Sequence, residues 1–287
     1  MMTAVSGTTT FQLGSGPTLG SIDGNGVIWR VNQDGFLGGG EPGTTLDPQP
    51  NVRARGTWSG DSNTLGRTIS LSGTIHAPTP ALLNAAIDSL INAVSTAGFT
   101  LTVTESGVPY THFVRRSGET LVPKITNVMA AYSIQVHADD PRKLGAVQTG
   151  TTGPLSSSGG LTIPFTIPFT ISATTVSGVV SLTNPGNTTG PVVIEFDGPV
   201  TAPSVAHTNA AGQTVTWASS QVLAPGEFLI VDMDNQIALA QGQANRAAYI
   251  TNPGWSGFEV GLNTWTFLQG GSNPTALMKV TATGARK

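Results

Sequence analysis

Polar and apolar positions alternate in short runs along most of the chain, and one segment departs from that period. Thr68–Ile75, Phe99–Thr104 and Ala130–Ala138 each place every second residue on one face, the pattern of a half-buried strand. Val27–Val31 is a further strand, bracketed by the turn formers Asp23-Gly24-Asn25-Gly26 and Asn32-Gln33-Asp34-Gly35. Tyr110–Val114 and Leu121–Asn127 add two more, and Ala130–Ala138 is expected to be the last strand of this region. Leu83, Ile87, Leu90 and Val94 recur instead at helical spacing. Thr79 can cap that segment, Pro80 suits the first helical position, and Gly98 suits a left-handed C-terminal residue, so the spacing predicts a helix over 80–96.

Beyond Val176 the pattern is all strand, with turn signals at roughly 8–12-residue spacing, as in a β-sandwich. The predicted strands are Gly178–Thr183, Val192–Phe196, Val205–Asn209, Gln213–Trp217, Phe228–Asp232, Gln236–Leu239, Trp265–Leu268 and Ala276–Thr281. Asn184-Pro185-Gly186, Asp197-Gly198, Ala224-Pro225-Gly226 and Gln269-Gly270-Gly271 supply turns between them. The chain therefore divides into an α+β domain with one main helix over 1–148, a Pro/Ser/Gly-rich linker and entering strand over 149–175, and a mostly β sandwich over 176–287. The linker carries a doubled Thr-Ile-Pro-Phe (Thr162–Phe165, Thr166–Phe169). Pro164 and Pro168 cannot donate ladder hydrogen bonds, so it belongs on an edge or an extended path. Gly38–Gly60 is rich in Gly and Pro, and a structureless stretch of that length is unusual in a compact domain unless it has a function; it reads as a long loop or an extended arm.

Composition narrows the function. Charged residues make up 10% of the 287, far below the roughly 25% of ordinary soluble domains, which suits a surface covered in an assembly as well as it suits a biased genome. The net charge of −3 and the scatter of the 13 basic residues argue against nucleic-acid recognition. There is no cysteine, which excludes disulfides, thiolate metal sites and cysteine nucleophiles. The N-terminus lacks the basic and apolar regions of a signal peptide, and no apolar run is long enough to span a membrane.

No constellation carries catalytic chemistry. His76, His112, His137 and His207 share no metal-pair spacing and read as surface or turn residues. Asp232-Met233-Asp234 lacks the further oxygen ligands of a calcium loop and reads as a strand end turning at Asp234-Asn235. Glu195, Asp197, Glu227 and Glu259 could form a glycosidase acid pair, but nothing in their spacing brings two together. No phosphate loop or nucleophile elbow is present. Trp217, Trp255 and Trp265 are either sugar-stacking aromatics of a carbohydrate-binding module or core and interface anchors.

A family resemblance runs along nearly the whole chain. The first domain shows a strand entry, an Arg-containing arm, the stretch Leu65-Gly66-Arg67-Thr68-Ile69-Ser70-Leu71-Ser72-Gly73-Thr74-Ile75, the helix after Pro80, and the closing Asp139-Asp140-Pro141-Arg142-Lys143. The second shows Asn184-Pro185-Gly186-Asn187, Pro191–Gly198 with its Glu195-Phe196-Asp197-Gly198, Pro203, and Leu223–Asp232. Trp265–Asn273 resembles the closing turn, with Gln269-Gly270 in place of Pro-Gly. In order and spacing these resemble the distal tail (Dit) family of long-tailed phages.

The resemblance implies a structural protein of the virion tail tip, assembled in the host cytoplasm, with no catalysis and no cofactor. Its first domain would form a ring, a hexamer in that family, between a tail-tube protein on one face and a tail-tip protein on the other. The arm, represented by Glu41, Pro42, Leu46, Pro48, Pro50 and Arg53, would clasp the neighbouring subunit. The second domain would be a galectin-like platform for adhesion proteins. Arg67, Gly73, Asp140, Pro141, Asn184, Gly186, Asn187, Gly198 and Asp232 would be its structural motif residues. The alternatives are a module that binds host-surface glycan, and another tail-tip or tail-tube subunit.

Overall fold

The computed structural model describes residues 9–53, 55–60, 62–152, 178–271, 273 and 275–287. The doubled Thr-Ile-Pro-Phe and most of the expected linker lie outside them. The fold is mostly β, with one α-helix among the described residues, and it divides into two compact units: 1–145 with Lys287, and 146–286.

In the first unit, β1 (Thr9–Leu13), β2 (Thr18–Leu19), β3 (Ile28–Leu37), β8 (Arg67–His76), β9 (Phe99–Glu105), β10 (Val108–Arg116), β11 (Lys124–Thr126) and β12 (Met129–Ala138) make antiparallel pairs in the order β2-β1-β9-β10-β12-β8-β3, with β11 against β12. Backbone bonds from Gly20 N to Trp29 O and from Trp29 N to Ser21 O join the two ends of that series. Alternation puts Ile69, Leu71 and Ile75 of β8 and Tyr132, Ile134 and Val136 of β12 into one core with Leu83, Ala86 and Leu90 of the helix.

The helix α1 spans Pro80–Ala93 and ends short of the predicted residue 96. Thr79 caps it, its hydroxyl accepting from Leu82 N at 3.3 Å. The early stop has a local cause: Arg116 N donates to Ser95 O at 3.2 Å, so β10 takes the backbone that a further helical turn would use. The predicted turn at 32–35 appears inside β3 as a break in register between Val31 and Phe36. Ala138 does not end the strands of this region. β13 (Lys143–Thr151) follows, and its Leu144 pairs with Thr111 of β10.

Gly38–Gly60 is not structureless. Four short strands, β4 (Thr44–Thr45), β5 (Pro48–Pro50), β6 (Thr57–Ser59) and β7 (Asn63–Thr64), pair as β4-β7 and β5-β6, so the stretch between β3 and β8 is a hairpin closing at Asn51–Gly56.

The second unit is a sandwich of two antiparallel sheets built from β14 (Val179–Asn184), β15 (Val192–Asp197), β16 (Val200–Thr201), β17 (Ser204–Thr208), β18 (Thr214–Ser219), β19 (Val222–Leu223), β20 (Phe228–Asp232), β21 (Ile237–Ala240), β22 (Ala244–Asn245), β23 (Ile250–Pro253), β24 (Gly261–Leu268) and β25 (Leu277–Arg286). One sheet runs β25-β15-β20-β21-β22, the other β14-β24-β17-β18-β23, and β16 pairs β19 beside them. Inward residues of both sheets, among them Ile194, Phe196, Leu229, Val231, Val205, Trp217 and Trp265, form its core.

Candidate functional site

The hairpin between β3 and β8 leaves most of its side chains exposed. Glu41, Leu46, Pro48, Pro50 and Arg53 are exposed along it, and Pro42 is half-buried. Val52 is 96% exposed and Trp58 69%, and Leu37, Leu46 and Leu65 are exposed as well. Pro48 and Pro50 remove donors from one edge, which blunts random strand pairing while leaving the side chains on offer. A hairpin carrying an unburied tryptophan and several aliphatics is the kind of element that can find its core on a partner.

Its root is held in a defined way. The buried Arg67, first residue of β8, donates from Nη1 to Gly38 O at 2.6 Å and to Gly40 O, and from Nε to Pro141 O at 2.9 Å. Lys143 Nζ donates to Gly39 O. Three successive glycine carbonyls thus each meet a cation. Gly38 must be glycine: its φ is +102°, and a Cβ there would fall 2.4 Å from Thr68 O. Arg142 grips Asp140 bidentately, Nη2 to Oδ2 at 2.8 Å and Nε to Oδ1 at 2.9 Å, and its own N–H adds a bond to Oδ1 at 2.9 Å. Burial raises the Asp140 carboxyl, but these bonds and the Arg142 charge outweigh it and hold the group below its usual range. The structure therefore gathers Arg67, Asp140 and Pro141 at one place, the base of the arm.

His112 stands beneath this root. It is 4% exposed, and burial, assisted by the charges of Arg67 and Lys143, pushes its pKa down to about 4. The expectation of a surface or turn residue is wrong for His112 and also for the buried His207. In both cases alternation carried the signal, since Tyr110, His112 and Val114 share one face of β10, and Val205 and His207 one face of β17. Gly73 lies under the Tyr132 ring, where a Cβ would come within 1.9 Å of Arg30 O; Tyr132 donates its hydroxyl to that same oxygen at 2.9 Å.

In the second unit the remaining motif residues build loops. Asn184 is buried, donating from Nδ2 to Phe258 O at 2.7 Å and to Thr188 O at 3.0 Å while its Oδ1 accepts from Gly186 N at 2.8 Å. Gly186 admits no side chain, because a Cβ would sit 1.8 Å from Ala285 O, the oxygen that accepts from Asn187 N at 3.1 Å. Gly198 N donates to Glu227 O. Asp232 closes the β20–β21 turn, its Oδ1 accepting from Asp234 N and Asn235 N.

The sugar-stacking reading fails on burial for Trp217 and Trp265. Trp217 and Trp265 are fully enclosed in the sandwich core, where Trp217 stacks on Phe196 and Trp265 on His207, so neither offers a face to solvent. Trp255 is half-buried against Trp217. Among the described residues no group of acidic or histidine side chains could hold a metal ion, and no helix is long and apolar enough to cross a membrane.

No protein-family model and no curated protein matches the sequence. Solved structures do match the fold. The Dit protein of phage SPP1, described as a paradigm of the hub adsorption apparatus in phages infecting Gram-positive bacteria, superposes with a TM-score of 0.62 at 10% identity, over 96% of this chain and 98% of that one. Chains of the phage P2 baseplate in its activated conformation follow, at TM-scores of 0.48 and 0.45 and 9% identity. The first of these similarities shows that both units, in this order, form a Dit-like fold.

Proposed function

We propose that this chain is a structural protein of a phage tail tip, forming a ring that joins the tail tube to the baseplate and carries adhesion or tail-tip proteins. The observation that carries the reading is the arm: a hairpin anchored by Arg67 and Lys143 at its root and exposing Val52 and Trp58 further out, in a chain whose fold is Dit-like over 96% of its length. A ring needs a head-to-tail interface, in which one surface of each copy meets a different surface of the next. An arm that cannot bury its own apolar residues fits one side of such an interface. The first unit is then the ring body, hexameric by analogy with the family, and the second a galectin-like platform for partner proteins.

The second unit has the frame of a binding sandwich, but with Trp217 and Trp265 inside its core it has no aromatic platform for a sugar at those positions. That favours a docking role for protein partners over a glycan-gripping one. No catalytic role is proposed. The test is the assembly state of the purified full chain against a chain lacking residues 40–58: the full chain forms closed rings and the shortened one is a folded monomer. Closed rings from the shortened chain would sink the role given to the arm.

A further inference from the structure

Behind the arm root is a small, partly open cleft lined by Phe36, Gly38, Gly39, Glu105, His112 and Lys143. It leaves about 10 Å³ for the centre of a water-sized sphere, which is about one water molecule. His112 Nδ1 is buried there without a protein partner. The Arg142 backbone acts on the ring in the direction that favours its protonated form. With the proton on Nε2, the neutral ring presents a bare lone pair at the buried, unpartnered Nδ1.

This fixes the chemistry of whatever fills the cleft. A buried lone pair left without a donor is destabilising, so the occupant must donate a hydrogen bond. A halide cannot donate. A cation meets Arg67 and Lys143, both of which act on the ring as positive charges. An apolar occupant leaves Nδ1 unmet. Water satisfies every condition: one hydrogen for Nδ1, a second for the Glu105 carboxylate or a glycine carbonyl, and an oxygen that can accept from an ammonium such as Lys143.

We propose that this cleft is a binding site for a single water molecule that bridges His112 Nδ1 to the arm root, adding an internal tie between β10 and the Gly38-Gly39 segment. The water is a built part of the anchor, in the cleft that Lys143 and Gly39 also line. This inference stands independently of the assembly role proposed above.

A high-resolution crystal structure of the full chain tests it, together with the same crystals under xenon pressure and the ¹⁵N shifts of the His112 ring. The expected result is a density peak about 2.7–3.2 Å from Nδ1, no xenon in the cleft, and a shift of the unprotonated, pyridine-like type at Nδ1. In the His112→Phe chain the peak is expected to be absent. An empty cleft, xenon within it, or a protonated Nδ1 at neutral pH would each overturn the proposal.

Discussion

Arg67 and Pro141 are 74 positions apart in the chain, and the Arg67 Nε–H meets the Pro141 carbonyl at 2.9 Å. With the same side chain reaching Gly38 O and Gly40 O, one guanidinium ties the end of β3, the start of β8 and the segment before β13 together at the foot of the arm.

Replacing Arg67 by Ala removes a buried fork and strands three carbonyls. Hydrogen bonds to charged groups contribute about 1.5–3 kcal/mol, so a loss of about 2–4 kcal/mol in urea unfolding is expected. Arg67→Lys keeps the charge without the fork and should recover only part of it. A wild-type midpoint for Arg67→Ala would show the clamp to be idle.

The arm's exposed side chains should behave in the opposite manner. Leu46→Ser, Val52→Ser and Trp58→Ser together change the stability of the monomer by no more than about 0.5 kcal/mol each, the range of surface substitutions, yet weaken ring formation severely. Light scattering at matched concentration reads the second effect and urea unfolding the first. Loss of both together would place these residues in the chain's own core.

Acid should weaken the first unit through His112. Its folded pKa lies at about 4, below the 6.5 of the free ring. Between those values the unfolded chain takes up a proton that the folded one refuses. The stability due to the neutral ring is therefore complete above pH 6.5 and is lost as pH falls toward 4. One such ring accounts for at most about 3 kcal/mol. His207 in the second unit is shifted the same way, chiefly by burial. Unfolding midpoints at pH 7.5 and pH 4.5 measure the combined slope, and His112→Phe should flatten it. An unchanged slope in that variant would mean that other groups set it.

Trp265→Ala and Trp217→Ala should each cost about 3–5 kcal/mol, the range for a large aromatic deleted from a packed core. Any glycan binding lost in these variants would be lost with the fold. Calorimetry showing a normal melting transition for either variant would contradict the buried positions found for the rings.

Strand period makes the frame legible in the sequence itself. Phe228–Asp232 is the strand the pattern predicts, and Thr68–Ile75 differs from β8 only at its ends. What the pattern could not convey is pairing across distance. Arg67, Asp140 and Pro141 could be marked as motif residues, but only the fold brings the last two to the first. The hairpin inside Gly38–Gly60 was hidden because its strands are two or three residues long and contain prolines, leaving no period to read. The tryptophans were ambiguous for a different reason: an indole suits a sugar face and a sandwich core equally, and only the register of β18 and β24 turns Trp217 and Trp265 inward. His207 shows how such a core admits polar groups. Asn263 Nδ2 donates to Glu259 O and Gly261 O, which orients its Oδ1 as acceptor for the His207 Nε2–H at 2.9 Å.

The central claim is that the arm closes a ring of identical chains. Its most direct test is the mass of the purified full chain by light scattering, with negative-stain images of the same sample, beside the triple variant of Leu46, Val52 and Trp58. The account predicts a closed, hollow particle of about six chains for the native protein, cyclic as head-to-tail contacts require, and single folded chains for the variant. A native protein that stays a single chain at every concentration, or a variant that closes rings as readily as the native chain, would contradict it.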